Sequence, residues 1–480
     1  MEKESNIIAS NIIVQIIGRV ITLAVSLISI KLITNYLGPV GTGYYNTIIT
    51  YFAFFITFAD LGLFSVGVRE ISKAPEKTAK ILNNLFTLRL ITAIIATLIA
   101  TIVALLTNYP VEIKHGVMLL ALYPIFNLLY SVYDIYLQTR LQMEKSAIAE
   151  IITRVATIVL IYLAVVFNLG FYAVLSTVAL AAIVNFFLKY FLTRKEIHLK
   201  FEFDKKIISW IFKLSLPLGV VFIVNNFYFK VDTLILFYFK GAAEVGIYSV
   251  AYKVLETTTF IAAFLAYSLK PLLSVSVYED KEKAANAVSR GITFLLFAAF
   301  AIAVICIPFS KEIILFLSNQ QFLAGSHALV ILAFAPIFIY LNVLFGEIMI
   351  AKDMRKYLIW VSIIVLLFNI STNIILIPKY SYVAASYTTL ASEMLLLVFG
   401  FIAANRALPL KIDFARIFKL IFAAALSTGI GFLFDTTGIY FLFSLIISVG
   451  FYLIICYLSD AVPKTTLDNY FSSVKKKWIN

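Results

Sequence analysis

Apolar runs of about twenty residues, each long enough to cross a bilayer, recur along the whole chain. Fourteen are legible, at about 9–33, 44–67, 83–106, 116–138, 148–167, 171–192, 208–229, 245–268, 288–309, 327–350, 357–377, 382–404, 416–434 and 439–459. Strand-type alternation is absent, so the pattern predicts an all-α membrane protein and excludes an outer-membrane barrel. Composition agrees: 62% of the 480 residues are hydrophobic and 14% charged, where soluble domains carry roughly 25% charged residues. Fourteen crossings leave little chain for a separate soluble domain. The first run contains Gln15 and Arg19 and has no basic region before it. It reads as a retained helix, not a cleaved signal.

The net charge of +13 would suit a nucleic-acid binder if it were clustered. Instead it lies in short connections. With the N-terminus in the cytoplasm, alternate connections hold 29 Lys and Arg on the cytoplasmic side and five on the other. The cytoplasmic set includes Arg69, Lys73, Lys77 and Lys80, and seven residues from Lys189 to Lys213. The asymmetry predicts a multi-pass protein of the cell membrane with both termini cytoplasmic, and no nucleic-acid partner. Cys306 and Cys456 fall in apolar runs and read as small core residues. His115, His198 and His327 lack metal-type spacing, and no cofactor motif is present.

The chain also repeats. Shifted by 203 residues, Gly38 meets Gly241, Gly43 meets Gly246 and Tyr45 meets Tyr248. Near a shift of 211, Gly170 and Ala173 meet Ser381 and Ala384. Both members of each pair occupy the same place in the order of runs. The expected organisation is two parallel six-helix bundles, 1–206 and 207–410, followed at 411–480 by two further helices and a basic tail.

Charges inside apolar runs are costly, by on the order of 3 kcal/mol at mid-membrane, and face a cavity or a partner. Arg19, Lys31, Arg89, Arg154 and Lys253 are the basic examples; Asp60, Asp134, Glu256, Glu347 and Glu393 are acidic ones. Lys31 and Arg89 lie near run ends, where a long side chain snorkels to the headgroups. Around the repeated motif, polar residues fall on single helical faces: Gln15, Arg19 and Thr22 in run 1, Asn46 to Asp60 in run 2, Asn226 in run 7, Lys253 and Glu256 in run 8. Ser, Thr and Asn on such faces also glue helices together. The cationic members predict a polar cavity between the two halves. Lys253 and Glu256, three apart, are placed to pair with each other.

The stretch Leu214-Ser-Leu-Pro-Leu-Gly219, then Val231-Asp-Thr-Leu-Ile235 and Gly241-Ala-Ala-Glu-Val-Gly246, resembles polysaccharide-biosynthesis flippases of the Wzx type, within the multidrug/oligosaccharidyl-lipid/polysaccharide superfamily. Leu37-Gly-Pro39 and Gly43-Tyr-Tyr45 agree with it. Fourteen crossings is also the number in peptidoglycan-lipid flippases of the MurJ type. The resemblance implies a V of two six-helix bundles. It implies alternating-access transfer of a polyprenyl-(di)phosphate-linked oligosaccharide to the outer leaflet, with glycan polymerases or glycosyltransferases as partners. Arg19 and Lys253, then Arg89 and Arg154, are the expected anion contacts, with Gln15, Asn46 and Asn226 lining the cavity. Asp60 and Glu256 are the candidates for a coupling ion. A cation-coupled multidrug exporter of the MATE type and a membrane enzyme acting on lipid-linked glycans are the competing readings.

Overall fold

The computed structural model describes residues 2–279, 281–436 and 441–462, with side chains described for 22–262, 282, 284–354, 356–434 and 441–462. The helices are α1 (Glu2–Asp60), α2 (Leu63–Lys73), α3 (Thr78–Leu106), α4 (Val111–Leu119), α5 (Leu122–Thr139), α6 (Met143–Val166), α7 (Gly170–Thr193), α8 (Lys205–Lys240), α9 (Ala242–Glu279), α10 (Lys281–Cys306), α11 (Ser310–Leu317), α12 (Gly325–Leu332), α13 (Ala335–Ala351), α14 (Arg355–Ala407), α15 (Phe414–Thr436) and α16 (Phe441–Leu458). A bilayer offers no hydrogen bonds to a backbone, so helices are the way such apolar runs satisfy their own amides.

Among the described residues ten helical stretches are long and apolar enough to cross a membrane, and the bent pair α12–α13 makes an eleventh. Two of the ten, 22–73 and 356–407, run for 52 residues each. One crossing needs roughly 20. Each is therefore two crossings joined at one non-helical residue, Gly38 in α1 and Ser381 in α14. With α9, at 38 residues, the fourteen predicted crossings are all accounted for.

The repeat is written in backbone conformation. Gly38 (φ 62°, ψ −174°) and Gly241 (φ 82°, ψ −174°) match, and each hands one helix directly to the next. Gly170 (φ 82°) and Ser381 (φ 54°) are the other matched pair. A residue without a Cβ adopts positive φ at no steric cost, which accounts for glycine at three of these four breaks. Pro39 follows Gly38, where its fixed φ suits a first helical turn. The connections between these breaks, 107–110 and 307–324, are wider.

The helices cluster into two compact units, 1–246 and 247–480. In the first, Leu82, Leu85, Val132, Ile135 and Ile211 form a fully buried core joining α2, α3, α5 and the start of α8. The rest of α8 lies along the second half of α1. Phe227 meets Phe54 at 4.3 Å between ring centres. A Cβ on Gly219 would come within 2.7 Å of the Leu61 carbonyl oxygen. At the other end a Cβ on Gly43 would lie 1.7 Å from the Ala242 carbonyl oxygen, and one on Gly246 2.0 Å from that of Pro39. Pro39 and Ala242 are themselves counterparts at the 203-residue shift. The contact is reciprocal, as across a two-fold axis.

The 194–204 connection is strapped to α3. The amides of Lys200, Glu202 and Asp204 donate to Asn83 Oδ1 (3.0 Å), Thr87 Oγ1 (2.9 Å) and Asn84 Oδ1 (2.7 Å). Asp204 also caps α8, accepting from the Lys206 and Ile207 amides, and pairs with Lys80 at 3.1 Å. In the second unit, the C-terminal helices pack on α10: the Tyr452 hydroxyl donates to the Phe297 carbonyl at 2.9 Å while the two rings stack.

Candidate substrate site

The predicted charged residues meet different fates. Gln15 and Arg19 lie in α1, but their side chains fall outside those described. Arg89 does not snorkel. It is fully buried and donates to Asp60 Oδ1, Ser131 Oγ and the Leu128 carbonyl. A snorkelling arginine keeps its head in water; this one has an acid waiting inside the unit. Asp60 ends α1 at a break formed by Leu61 and Gly62, and its other oxygen accepts the Gly62 amide at 3.2 Å. Arg89 thus stitches α1, α3 and α5 together at the break, and it has no surface open to a ligand.

Lys253 and Glu256 pair at 2.7 Å on α9, as their spacing predicts. That pairing offsets the charge Lys253 would offer an anion. Asn46 donates to the Thr42 carbonyl one turn back, a local bond. Asn226 holds a buried Oδ1 with no hydrogen-bond partner among the described residues.

Arg154 is different. Its side chain is 48% exposed, and its ion-pair partner Glu150 lies at a loose 3.8 Å. No hydrogen bond reaches it among the described residues. The lipid-facing side of α6 is marked by exposed Ile148, Ile152, Val155, Val159, Leu163 and Val166, spaced by three and four. Arg154 and Glu150 project from the opposite side. Their exposure is therefore to an interior space within the first unit, and not to lipid.

Three tyrosines share that space. Tyr45 from the second half of α1 and Tyr123 and Tyr130 from α5 all lie within electrostatic reach of the Arg154 guanidinium. The Tyr130 hydroxyl accepts from Asn127 at 2.9 Å. The Tyr45 and Tyr123 hydroxyls have no hydrogen-bond partner among the described residues, and both side chains are partly open. The sequence gave no contrast by which to find them, because 27 tyrosines are spread along the chain.

One sequence assignment is corrected beside them. Lys189 was expected in a basic connection; it is buried within α7. It pairs with Asp134 at 2.7 Å and stands 4.4 Å above the Tyr130 ring. Asp134 also accepts from Ser146 at 2.6 Å. An intramembrane acid needs a partner, and Asp134 was the signal that Lys189 lies deeper than its hydropathy suggests.

Among the described residues no group of three or more His, Cys, Asp or Glu is placed to hold a metal. The second unit has a neutral oxygen cluster. Asn369 donates to Ser392 at 3.1 Å, Asn373 to Asn369 at 3.0 Å, and Asn342 to Glu393 at 2.8 Å. Asn373 Oδ1 and Thr388 Oγ1 are buried there without a hydrogen-bond partner. Cys306 and Cys456 are both buried.

Comparison with known proteins places this arrangement. The family profile described as "Polysaccharide biosynthesis protein" matches residues 8–277, and the MatE profile matches 217–375. An uncharacterized membrane protein of Methanocaldococcus jannaschii, MJ1068, is 22% identical over 409 residues, 78% of this chain and 80% of that one. The capsular polysaccharide biosynthesis protein CapF of Staphylococcus aureus is 22% identical over 366 residues, 75% of this chain and 90% of that one. Among solved structures, the lipid II flippase MurJ in an inward closed conformation superposes with a TM-score of 0.77 at 17% identity, covering 94% of this chain and 98% of that one.

Proposed function

The chain belongs to the polysaccharide biosynthesis protein family, and from that premise we propose that it carries a polyprenyl-(di)phosphate-linked oligosaccharide from the cytoplasmic to the outer leaflet. Arg154 is the observation that carries the reading. A guanidinium held at the middle of an apolar helix, turned away from lipid and left without a close partner, suits an anionic headgroup. Its planar fork matches phosphate oxygens in pairs. The likeness to a lipid II flippase supports a fold able to house such a cargo, and CapF supports a role in surface polysaccharide assembly. Enzymes that build or extend the glycan on the same carrier are the expected partners. The basic connections put both termini in the cytoplasm. Transfer proceeds by alternating access.

Reconstitution in vesicles tests this. Purified protein should move polyprenyl-diphosphate-linked glycans between leaflets, and Arg154→Ala should slow that movement at least about tenfold, the loss of one charged contact. Wild-type protein that leaves every such lipid in place would sink the proposal. If it instead drove a cationic dye against a cation gradient, the MATE-type reading would replace it.

A further inference from the structure

We propose that Tyr45, Tyr123 and Tyr130, with Asn127, form a subsite that reads the hydroxyl groups of the first sugar while Arg154 holds the adjoining phosphate. The proposal rests on the flippase reading and adds to it a source of selectivity.

The argument begins with the hydroxyls. Inside an apolar unit a polar group finds a partner, meets water, or awaits a ligand. Tyr45 and Tyr123 hydroxyls lack a protein partner among the described residues, and neither side chain is sealed off. Tyr130 is already ordered: Asn127 donates to its oxygen at 2.9 Å, and Lys189 sits 4.4 Å above its ring. Its hydroxyl proton remains to be given. The group therefore offers three phenolic donors beside one guanidinium.

That composition selects a ligand class. A bare phosphate needs charge and gains little from phenols spread over two helices. A hydrophobic cation would seek an acidic site, and the single acid here, Glu150, faces Arg154. A sugar attached to a phosphate needs both kinds of contact. It presents hydroxyls in several directions and an apolar face of C–H groups that packs on aromatic rings. Tyrosine supplies ring and donor together with little rotamer entropy to lose. The three tyrosines come from helices of one unit, so the subsite is complete within it. Phe52 meets the Tyr123 ring at 6.3 Å, edge to face, which helps fix that ring.

The experiment is equilibrium binding to the full-length protein in detergent. The probes are polyprenyl diphosphate carrying one glucose, galactose or N-acetylglucosamine, the same lipid without sugar, and glucose 1-phosphate. Wild type should bind at least one glycosylated lipid about tenfold more tightly than the bare lipid, since two or three neutral hydrogen bonds are each worth a factor of a few. The double variant Tyr45→Phe/Tyr123→Phe keeps both rings. It should lose that preference while binding the bare lipid as before and melting at the wild-type temperature. Arg154→Gln should weaken glycosylated and bare lipids alike. Glucose 1-phosphate should bind more weakly than its lipid-linked counterpart, or the subsite serves a soluble sugar phosphate and the proposal falls. Equal affinity of wild type for all lipids, or a preference that survives the double substitution, would also overturn it. A preference present in binding but with no leaflet transfer in vesicles would remove the flippase reading and leave the subsite standing.

Discussion

At the residue scale, the difference between Arg89 and Arg154 is one of partners. Arg89 is enclosed and bonded to Asp60 across a helix break. Removing one member of a buried pair leaves the other charge uncompensated, at a cost of roughly 3–5 kcal/mol. Arg89→Ala should therefore lower the melting temperature of the detergent-solubilised protein by many degrees, while Arg154→Ala leaves it nearly unchanged. Both residues were visible in the sequence as charges inside apolar runs. Their separate roles were not, because Asp60 and Arg89 are 29 residues apart and meet only through tertiary packing. Lys189 shows the same limit. Hydropathy marks where an apolar run ends, and a buried ion pair extends the helix interior past that mark.

At the element scale, the reciprocal contact of Gly43 with Ala242 and Gly246 with Pro39 holds the second half of α1 against the α8–α9 turn. A methyl at either glycine cannot coexist with the facing carbonyl, so the backbones must separate. Gly43→Ala and Gly246→Ala should each destabilise by about 1–3 kcal/mol. The double variant should cost less than their sum, because the first separation makes room for the second methyl. Thermal melts of the three variants check both points. The positions of these glycines were legible from the repeat, and so was their backbone conformation. That the two copies touch each other was not, since a repeat states likeness and says nothing of contact. The strap on α3 carries a pH dependence. The hydrogen bond from Lys145 holds the Glu196 carboxyl below its ordinary value of 4.5, and that from Lys80 holds Asp204 below 3.8. Both favour the folded form while ionised. Their contribution is complete above about pH 5 and is lost as pH falls through the depressed values. Amide exchange at 200, 202 and 204 should accelerate on acidification in that window, and substitution of Lys80 by Met should remove part of the dependence.

At the scale of the whole molecule, the fold was the most legible part, because a bilayer permits so few structures that run lengths nearly determine it. The direction of the chain through the membrane is open to a simple check. Cys306 and Cys456 are buried and will not compete for a label. A cysteine placed at Lys240 should react with a membrane-impermeant maleimide on intact cells, and one at Lys195 only after permeabilisation. The opposite pattern would reverse the orientation drawn from the basic connections. The left-handed breaks have a practical side as well. At Gly38, Gly241 and Ser381 one helix becomes the next within a single residue. An inserted tag there must unwind helix on both sides before it has room. The 194–204 connection is longer, yet three of its amides are already taken. The wider turns at 107–110 and 307–324 are where an epitope or a fluorescent protein should be accepted with least disturbance. The same few residues that mark the repeat therefore also map where this chain can be lengthened and where it cannot.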